Sequence, residues 1–344
     1  MYENNFILRC NGMKKTGGPM ATLQLAECLL ACGNNIIIWY DSIDAYKYFE
    51  DWHKKYLSEK SKYIVTDDIS QLKNKIFILT ESSFNDIKNI SKDNKIWVYM
   101  QSVDNCIIFG TSASRLEGTF RILKNCIKNF NNSYANRWTI VRDRIEFIFS
   151  QSAYSNNFLS NLDANIPYLY IGDFIDKEKY NKPLNRLRKY SNLDSVNLRV
   201  AFNPSKGKIL HKLAKFFSKN ITFIPIINVN PENILDFLSS ADCYVDFGGQ
   251  PGKDRLPREA ILSGIPSFQF LRGAAVNGSD FPCPIIFRLN FYNVINFESR
   301  IKKGLKLNNK TIHSARIADI LSEKDNFYSR INHYLNTYYS MNKM

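Results

Sequence analysis

The sequence predicts an α/β protein of two domains, each a parallel sheet covered by helices on both faces. Three observations carry that expectation. Short apolar runs of strand length alternate with helical patterns. The alternation stops in a polar bridge from Asp176 to Asn197, rich in Lys, Asn and Arg, and restarts beyond it. The 344 residues suit two domains of roughly 150 residues better than one core.

In the first domain, Phe6–Cys10 is the opening strand and Asn11-Gly12 breaks it. After a Gly17-Gly18-Pro19 turn, Leu23, Leu25, Ala26, Leu29 and Leu30 mark the apolar face of a helix over Ala21–Cys32, closed by Gly33. Further strands are expected at Ile36–Tyr40, Lys62–Val65, Ile76–Leu79, Ile96–Met100 and Ile145–Phe149. In the second domain, strands fit Leu198–Phe202, Ile221–Ile227, Cys243–Phe247, Pro266–Phe270 and Ile285–Phe287. Helices fit Ile209–Phe217, Pro231–Ser239 and Pro257–Leu262, and an aromatic-rich helical region closes the chain, from about Ile312 to Tyr339. The expected division is 1–176, 177–322 and a terminal helix over 323–344.

Hydrophobic content of 44% and charged content of 23% describe a soluble globular chain, and no apolar run approaches a membrane span. The start Met1-Tyr2-Glu3-Asn4-Asn5 has neither a basic n-region nor an apolar signal core, so a cytoplasmic location is expected. Seven cysteines scattered from Cys10 to Cys283 make no disulfide framework, and Cys28 and Cys32 read as small core residues. His53, His211, His313 and His333 show no metal spacing and read as surface or helix residues. With no Asp-x-Asp in a suitable loop, no metal is expected.

The formal net charge of +14 asks for an anionic partner: nucleic acid, membrane or substrate. No zinc-finger, helix-turn-helix or RNP-type motif appears, which sets nucleic acid aside. The lysines are dispersed, as in Lys54-Lys55, Lys302-Lys303 and Lys306, and an AT-rich genome produces the same Asn, Ile and Lys bias. Peripheral association with the inner face of the plasma membrane is the functional reading, because acidic lipids attract each exposed Lys or Arg by about 1 kcal/mol.

The most informative stretch runs from Tyr244 to Ala260. A buried strand breaks at Gly248-Gly249, passes through the charged turn Lys253-Asp254-Arg255, and enters a helix at Leu256-Pro257. Such a break aims backbone N–H groups and a positive helix end at one point, which suits phosphate. Lys253, Arg255 and Arg258 add cationic donors there, and Glu259 adds an acceptor, a set that suits a nucleoside diphosphate with its ribose. A plain crossover turn with a solvated charge cluster fits the same spacing. Asn203-Pro204-Ser205-Lys206-Gly207 follows the first strand of this domain. Lys206 there offers a point charge for phosphate and Gly207 a close backbone approach, although the string is also an ordinary turn. Arg272-Gly273 follows another strand and is placed to meet the donor base or phosphate.

The string Pro251-Gly252-Lys253-Asp254-Arg255-Leu256-Pro257-Arg258-Glu259-Ala260 resembles the donor site of GT-B glycosyltransferases. It is similar to the string in bacterial enzymes of surface-polysaccharide loci, those of capsule, O-antigen and lipopolysaccharide. The resemblance covers most of the second domain and scattered loops of the first. It implies two Rossmann-like domains with a deep interdomain cleft, and a last helix that returns to the first domain. It implies that Glu259 binds the ribose hydroxyls and that Lys206 contacts the donor diphosphate. It also implies that Gly17 and Gly18 face the cleft, against acceptor or phosphate. Retaining members often carry an acid eight positions before the Glu; here that position is Pro251, and Asp246 and Asp254 are the nearest acids. Ser102-Val103-Asp104-Asn105 is similar to a string in related polysaccharide glycosyltransferases, where Asp104 would orient or deprotonate an acceptor hydroxyl; an Asx turn is the alternative.

The function expected is metal-independent transfer of a sugar from a nucleotide-activated donor to a growing, lipid-linked bacterial surface glycan. The nucleotide sugar is a co-substrate and no cofactor is expected. Asp104, Lys206 and Arg255 are the catalytic candidates. Donor binding falls to Gly17, Gly18, Asn203, Lys206, Gly207, Gly248, Gly249, Lys253, Asp254, Arg255, Arg258, Glu259, Arg272 and Gly273. Two alternatives stay open: a sugar-nucleotide epimerase of similar two-domain form, and a non-catalytic GT-B-like binding protein.

Overall fold

The computed structural model describes residues 5–11, 16–57, 62–65, 69, 71–103, 141–162, 165–176, 193 and 196–341. These divide into two compact units. The first takes the described residues up to Asp173 and those from Asp325 onward, and the second takes those of Phe174–Lys324.

The first unit runs β1 (Asn5–Cys10), α1 (Gly17–Ala31), β2 (Asn35–Tyr40), α2 (Ile43–Leu57), β3 (Lys62–Val65) and β4 (Ile76–Thr80). A 3-10 segment, Glu81–Asn89, leads to β5 (Lys95–Met100), β6 (Ile145–Ser150), α3 (Ala153–Leu162) and β7 (Tyr168–Tyr170). The strands pair in parallel in the order β3-β2-β1-β4-β5-β6-β7. Central strands such as IFILT and KIWVYM are buried nearly end to end, as a sheet covered on both faces requires. On one face Ile7, Phe77, Leu79, Val98 and Met100 pack against Phe84 and Ile87 of the 3-10 segment and Ile90 just after it.

The second unit runs β8 (Leu198–Phe202), α4 (Lys208–Phe217), β9 (Ile221–Pro225), α5 (Ile234–Ser239), β10 (Cys243–Asp246), α6 (Leu256–Leu262) and β11 (Ser267–Phe270). It continues through β12 (Arg288–Leu289), α7 (Phe297–Leu307) and α8 (Lys310–Leu321) into α9 (Glu323–Met341). Its sheet is parallel in the order β12-β11-β10-β8-β9. Period-two alternation sorts the side chains: Val200, Phe202, Val245, Phe247 and Phe268 face α4 and α7, whereas Ala201 and Tyr244 face α5, α6 and α8.

Most strands lie within a residue or two of their expected positions, but several elements differ. The apolar run Ile285–Phe287 is a 3-10 turn, not a strand; Phe287 N–H closes it onto Pro284 O at 2.9 Å, and β12 follows. Pro282 and Pro284 lack N–H donors and so suit a loop better than a ladder. The glycines Gly17 and Gly18 form the first turn of α1 and not a separate turn before it. β9 stops at Pro225, and the expected helix over Pro231–Ser239 begins as a 3-10 turn at Pro231–Asn233. The terminal region is two helices, α8 and α9, meeting at Ser322, and α2, α3, β7 and α7 were not anticipated. All four histidines lie on helices, and His53 and His313 are buried rather than on the surface. Cys10, Cys28, Cys32, Cys243 and Cys283 are free thiols. None of the described helices is long and apolar enough to cross a membrane.

The aromatic stripe of α9 is explained by its packing. Trp97, fully buried on β5, lies 5.8 Å from Tyr334 and 5.1 Å from Tyr338 between ring centroids, with Phe6 at 5.5 Å and Phe149 at 5.6 Å. Phe147 stacks on Tyr334 at 4.1 Å, and Lys95 Nζ donates to the Tyr338 hydroxyl at 3.0 Å. From Asp325 onward α9 is therefore a core helix of the first unit. Trp97→Ala should open a cavity at this junction and cost about 3–5 kcal/mol in denaturant unfolding. A loss under about 1 kcal/mol would show that the ring cluster does not hold α9.

Candidate functional site

Open parallel sheets bind ligands outside the carboxyl ends of their strands, at the point where the strand order reverses. In the second unit that point lies between β8 and β10. The loops leaving β8, β10 and β11 meet there because glycines remove the side chains that would keep them apart. Gly207 has a left-handed φ of 59°, and a Cβ on it would sit 2.1 Å from the Phe247 carbonyl oxygen. Gly273, at φ 62°, lies as close to the Gln250 carbonyl oxygen, and Ala274 N–H donates to that oxygen at 2.7 Å. Gly248 packs under the Lys206 stem, where a Cβ would stand 2.5 Å from the Lys206 Cβ. The space freed by these three glycines is filled by neighbouring protein atoms. Gly249 beside them is half-exposed.

The charges of this site are ordered by the same packing. Asn203 Oδ1 accepts from the Ser205 N–H at 3.0 Å, which turns Lys206 toward β10. Lys206 Nζ pairs with Asp254, and both side chains are only partly exposed. Asp246 is buried at the end of β10, accepting from Gly248 N–H at 2.9 Å and Gln250 Nε2 at 3.2 Å. Burial drives its carboxyl up, Lys206 draws it down, and Asp254 pushes it up again, leaving it at about 6. Tyr244 on the same strand face is raised well above the usual phenol range by burial, with Asp246, Asp254 and Glu259 adding to the rise. Four acidic or phenolic groups therefore converge where the sequence advertised mainly cations.

The basic residues of the motif separate into two sets. Arg255 caps α6, reaching Glu259 Oε1 at 3.5 Å, one helical turn on, and donating to Phe174 O at 3.1 Å. Its sequence neighbour Asp254 pairs with Lys206. Lys253 and Arg258 point inward. Lys253 Nζ lies 2.8 Å from Glu323 Oε1, and Arg258 donates to Glu323 Oε2 at 2.5 Å, to Lys253 O at 3.1 Å and to Asp254 O at 3.2 Å. With side-chain exposures of 7% and 2%, Lys253 and Arg258 hold the loop to the start of α9 rather than offering charge to a ligand. Arg272 is half-buried at the end of β11, its carbonyl accepting from Gln250 N–H at 3.2 Å.

In the first unit the order reverses between β1 and β4. Asn11 Nδ2, just past β1, donates to Ser82 Oγ at 2.9 Å and Thr80 Oγ1 at 3.2 Å. Gly18 O accepts from Gln101 Nε2 at 3.1 Å, which places Gly17 and Gly18 against the carboxyl end of β5. Sequence reasoning missed Glu81. This buried carboxylate accepts from Gln101 N–H and Ser102 N–H, both at 3.0 Å, and so fixes the backbone at Gln101–Ser102. Its signal was an acid directly after an apolar strand. Asp104 itself lies outside the described residues. Among the described residues no group of three or more His, Cys, Asp or Glu side chains could hold a metal ion.

No family model and no curated protein sequence matches the chain. Solved structures do. A glycosyltransferase from Rickettsia africae ESF-5 aligns over 99% of this chain and 100% of its own with a TM-score of 0.60 at 14% identity. Sucrose-phosphate synthase from Thermosynechococcus elongatus aligns over 98% of each chain at TM-score 0.55 and 10% identity. An E. coli trehalose-6-phosphate protein bound with UDP-2-fluoro glucose aligns over 98% of each at TM-score 0.55 and 12% identity. At these identities the likeness is one of fold, and that fold is GT-B, with two Rossmann-like parallel-sheet domains.

Two outcomes follow from the buried charges. Because the Asp246 carboxyl sits near 6 in the folded chain and near 3.8 when exposed, it contributes stability below about 4 that is lost as pH rises through 6. Denaturant unfolding from pH 4 to 7 should therefore show a fall with pH that Asp246→Asn flattens; an identical slope in the variant would count against the shifted carboxyl. Glu323→Ala should leave Lys253 and Arg258 buried without their carboxylate and cost about 3–5 kcal/mol by the same measurement. Wild-type stability in that variant would show the pair of cations to be held otherwise.

Proposed function

We propose that this GT-B chain is a glycosyltransferase that draws its sugar from a nucleotide-activated donor seated at the β8–β10 loops. The observation that carries the reading is the convergence of Lys206, Asp254, Arg255 and Glu259 at the switch point of the second sheet. In this reading Glu259 accepts from the ribose hydroxyls while Arg255 fixes its rotamer. Lys206 exchanges Asp254 for the donor diphosphate, stabilising the charge that gathers on the leaving nucleotide as the sugar–phosphate bond breaks. The acceptor oxygen forms the new bond, and Asp104 takes its proton. These side chains handle the charge without a metal.

The acceptor we propose is a growing, lipid-linked surface glycan, on the similarity of Pro251–Ala260 and Ser102–Asn105 to strings in polysaccharide glycosyltransferases. UDP-glucose heads the donor candidates, because the E. coli neighbour was bound with UDP-2-fluoro glucose.

A melting-temperature screen against UDP, GDP, CMP and their sugars tests the donor site. A true donor at 100 times its dissociation constant adds about 2.7 kcal/mol to stability. Glu259→Gln should weaken that donor by roughly ten- to a hundredfold, the worth of a charge-assisted hydrogen bond of about 1.5–3 kcal/mol. Lys206→Ala should in addition slow turnover. Silence across the panel would favour a chain that keeps the fold and has lost donor binding. Wild-type donor affinity in both variants would overturn the site.

A further inference from the structure

We propose that the face of the second unit formed by the end of α4, the Phe291–Val294 turn and α7 docks onto an anionic membrane surface. Large apolar side chains stand out into solvent along this face: Phe216 on α4 is 81% exposed, Tyr292 and Phe291 in the turn 81% and 65%, Ile295 just after it 69%, and Leu307 at the end of α7 44%. Single exposed apolar residues are ordinary; a cluster of this kind on adjoining elements marks an interaction surface. Between them lies a groove of about 670 Å³ lined by Phe217, Ile295, Ser299, Lys303, Lys306 and Leu307.

The charge around this face is of one sign. Residues 205–220 carry five lysines and no acid, and of these Lys208, Lys212, Lys215 and Lys219 are exposed. Across 291–310 the only acid is Glu298, against Arg300, Lys302, Lys303, Lys306 and Lys310. Glu298 lines the groove too, but its charge is engaged: it pairs with Lys302 at 2.8 Å and accepts from the Lys219 and Asn220 N–H groups, each at 3.0 Å. Those bonds also clasp the end of α4 to the start of α7, so the face is ordered before any partner arrives.

Aromatic rings and aliphatic side chains ringed by lysines match the interfacial zone of a bilayer, where rings enter the headgroup layer and ammonium groups meet lipid phosphates. A nucleic acid would use the aromatic rings for stacking, but Ile295 and Leu307 have no π face to offer it. The face also keeps clear of the loops: α4 carries Lys206-Gly207 before its first residue and Phe216-Phe217 at its end, about 15 Å along the helix axis. This inference does not depend on the glycosyl-transfer reading.

Co-sedimentation of the full chain with vesicles tests it. Vesicles of equal parts phosphatidylcholine and phosphatidylglycerol should carry the chain down, and pure phosphatidylcholine should not. Phe216→Ser with Tyr292→Ser should weaken binding at least about tenfold, by removing buried apolar area. Lys303→Glu with Lys306→Glu should weaken it about twentyfold or more. Melting curves and the nucleotide-sugar shift should be unchanged in these variants, which separates this test from that of the donor site. No binding to either vesicle, equal binding to both, wild-type binding by both variants, or a preference for nucleic acid over the anionic vesicles would overturn the proposal.

Discussion

Two carbonyl oxygens, those of Phe247 and Gln250, occupy the places where Gly207 and Gly273 would carry a Cβ. Nearly everything at the carboxyl end of the second sheet follows from that close approach. It lets the loops leaving β8, β10 and β11 interlock, and it lays the Lys206 stem across Gly248. Lys206 is thereby brought beside Asp254, and Asp246 is sealed beneath them. Any side chain at Gly207 or Gly273 would meet backbone, which cannot swing aside as a flexible side chain can. The positive φ values at both positions add backbone strain to that clash.

The second organising element is a single carboxylate. Glu323 takes both Lys253 and Arg258. Two cations that would be intolerable in the interior alone share one carboxylate, with the Lys253 and Asp254 carbonyl oxygens accepting from Arg258 as well, and the set anchors the charged loop to the first turn of α9. The same helix then supplies Tyr334 and Tyr338 to the aromatic cluster around Trp97 in the first unit. One terminal helix thus begins by closing the motif of one unit and goes on to complete the core of the other.

The division of labour within the motif is a matter of direction. Consecutive residues of a helix point about 100° apart, so Arg258 diverges from Glu259, while Arg255, one turn before Glu259, reaches that carboxylate. Adjacent basic residues in the sequence therefore serve different ends, one fixing a carboxylate at the switch point and the other tying the loop down inside.

The alternation of apolar runs with helical segments, and its restart after Asn197, determined the α/β class and most strand positions, because period and length are local properties that survive in the string. The loops at Asn203–Gly207 and Gly248–Arg255 were legible for the same reason: a glycine break after a strand is a local signal. The string was silent on partners. It could not show that Glu323, about seventy residues away, takes Lys253 and Arg258, or that Lys206 and not Arg255 pairs with Asp254. Nor could it show that Ile285–Phe287 would turn rather than pair, or that Glu81 would accept from the loop after β5. Those outcomes rest on which strands lie side by side, a long-range consequence of sheet order. Tertiary structure alone decides which charges are buried together and which face water.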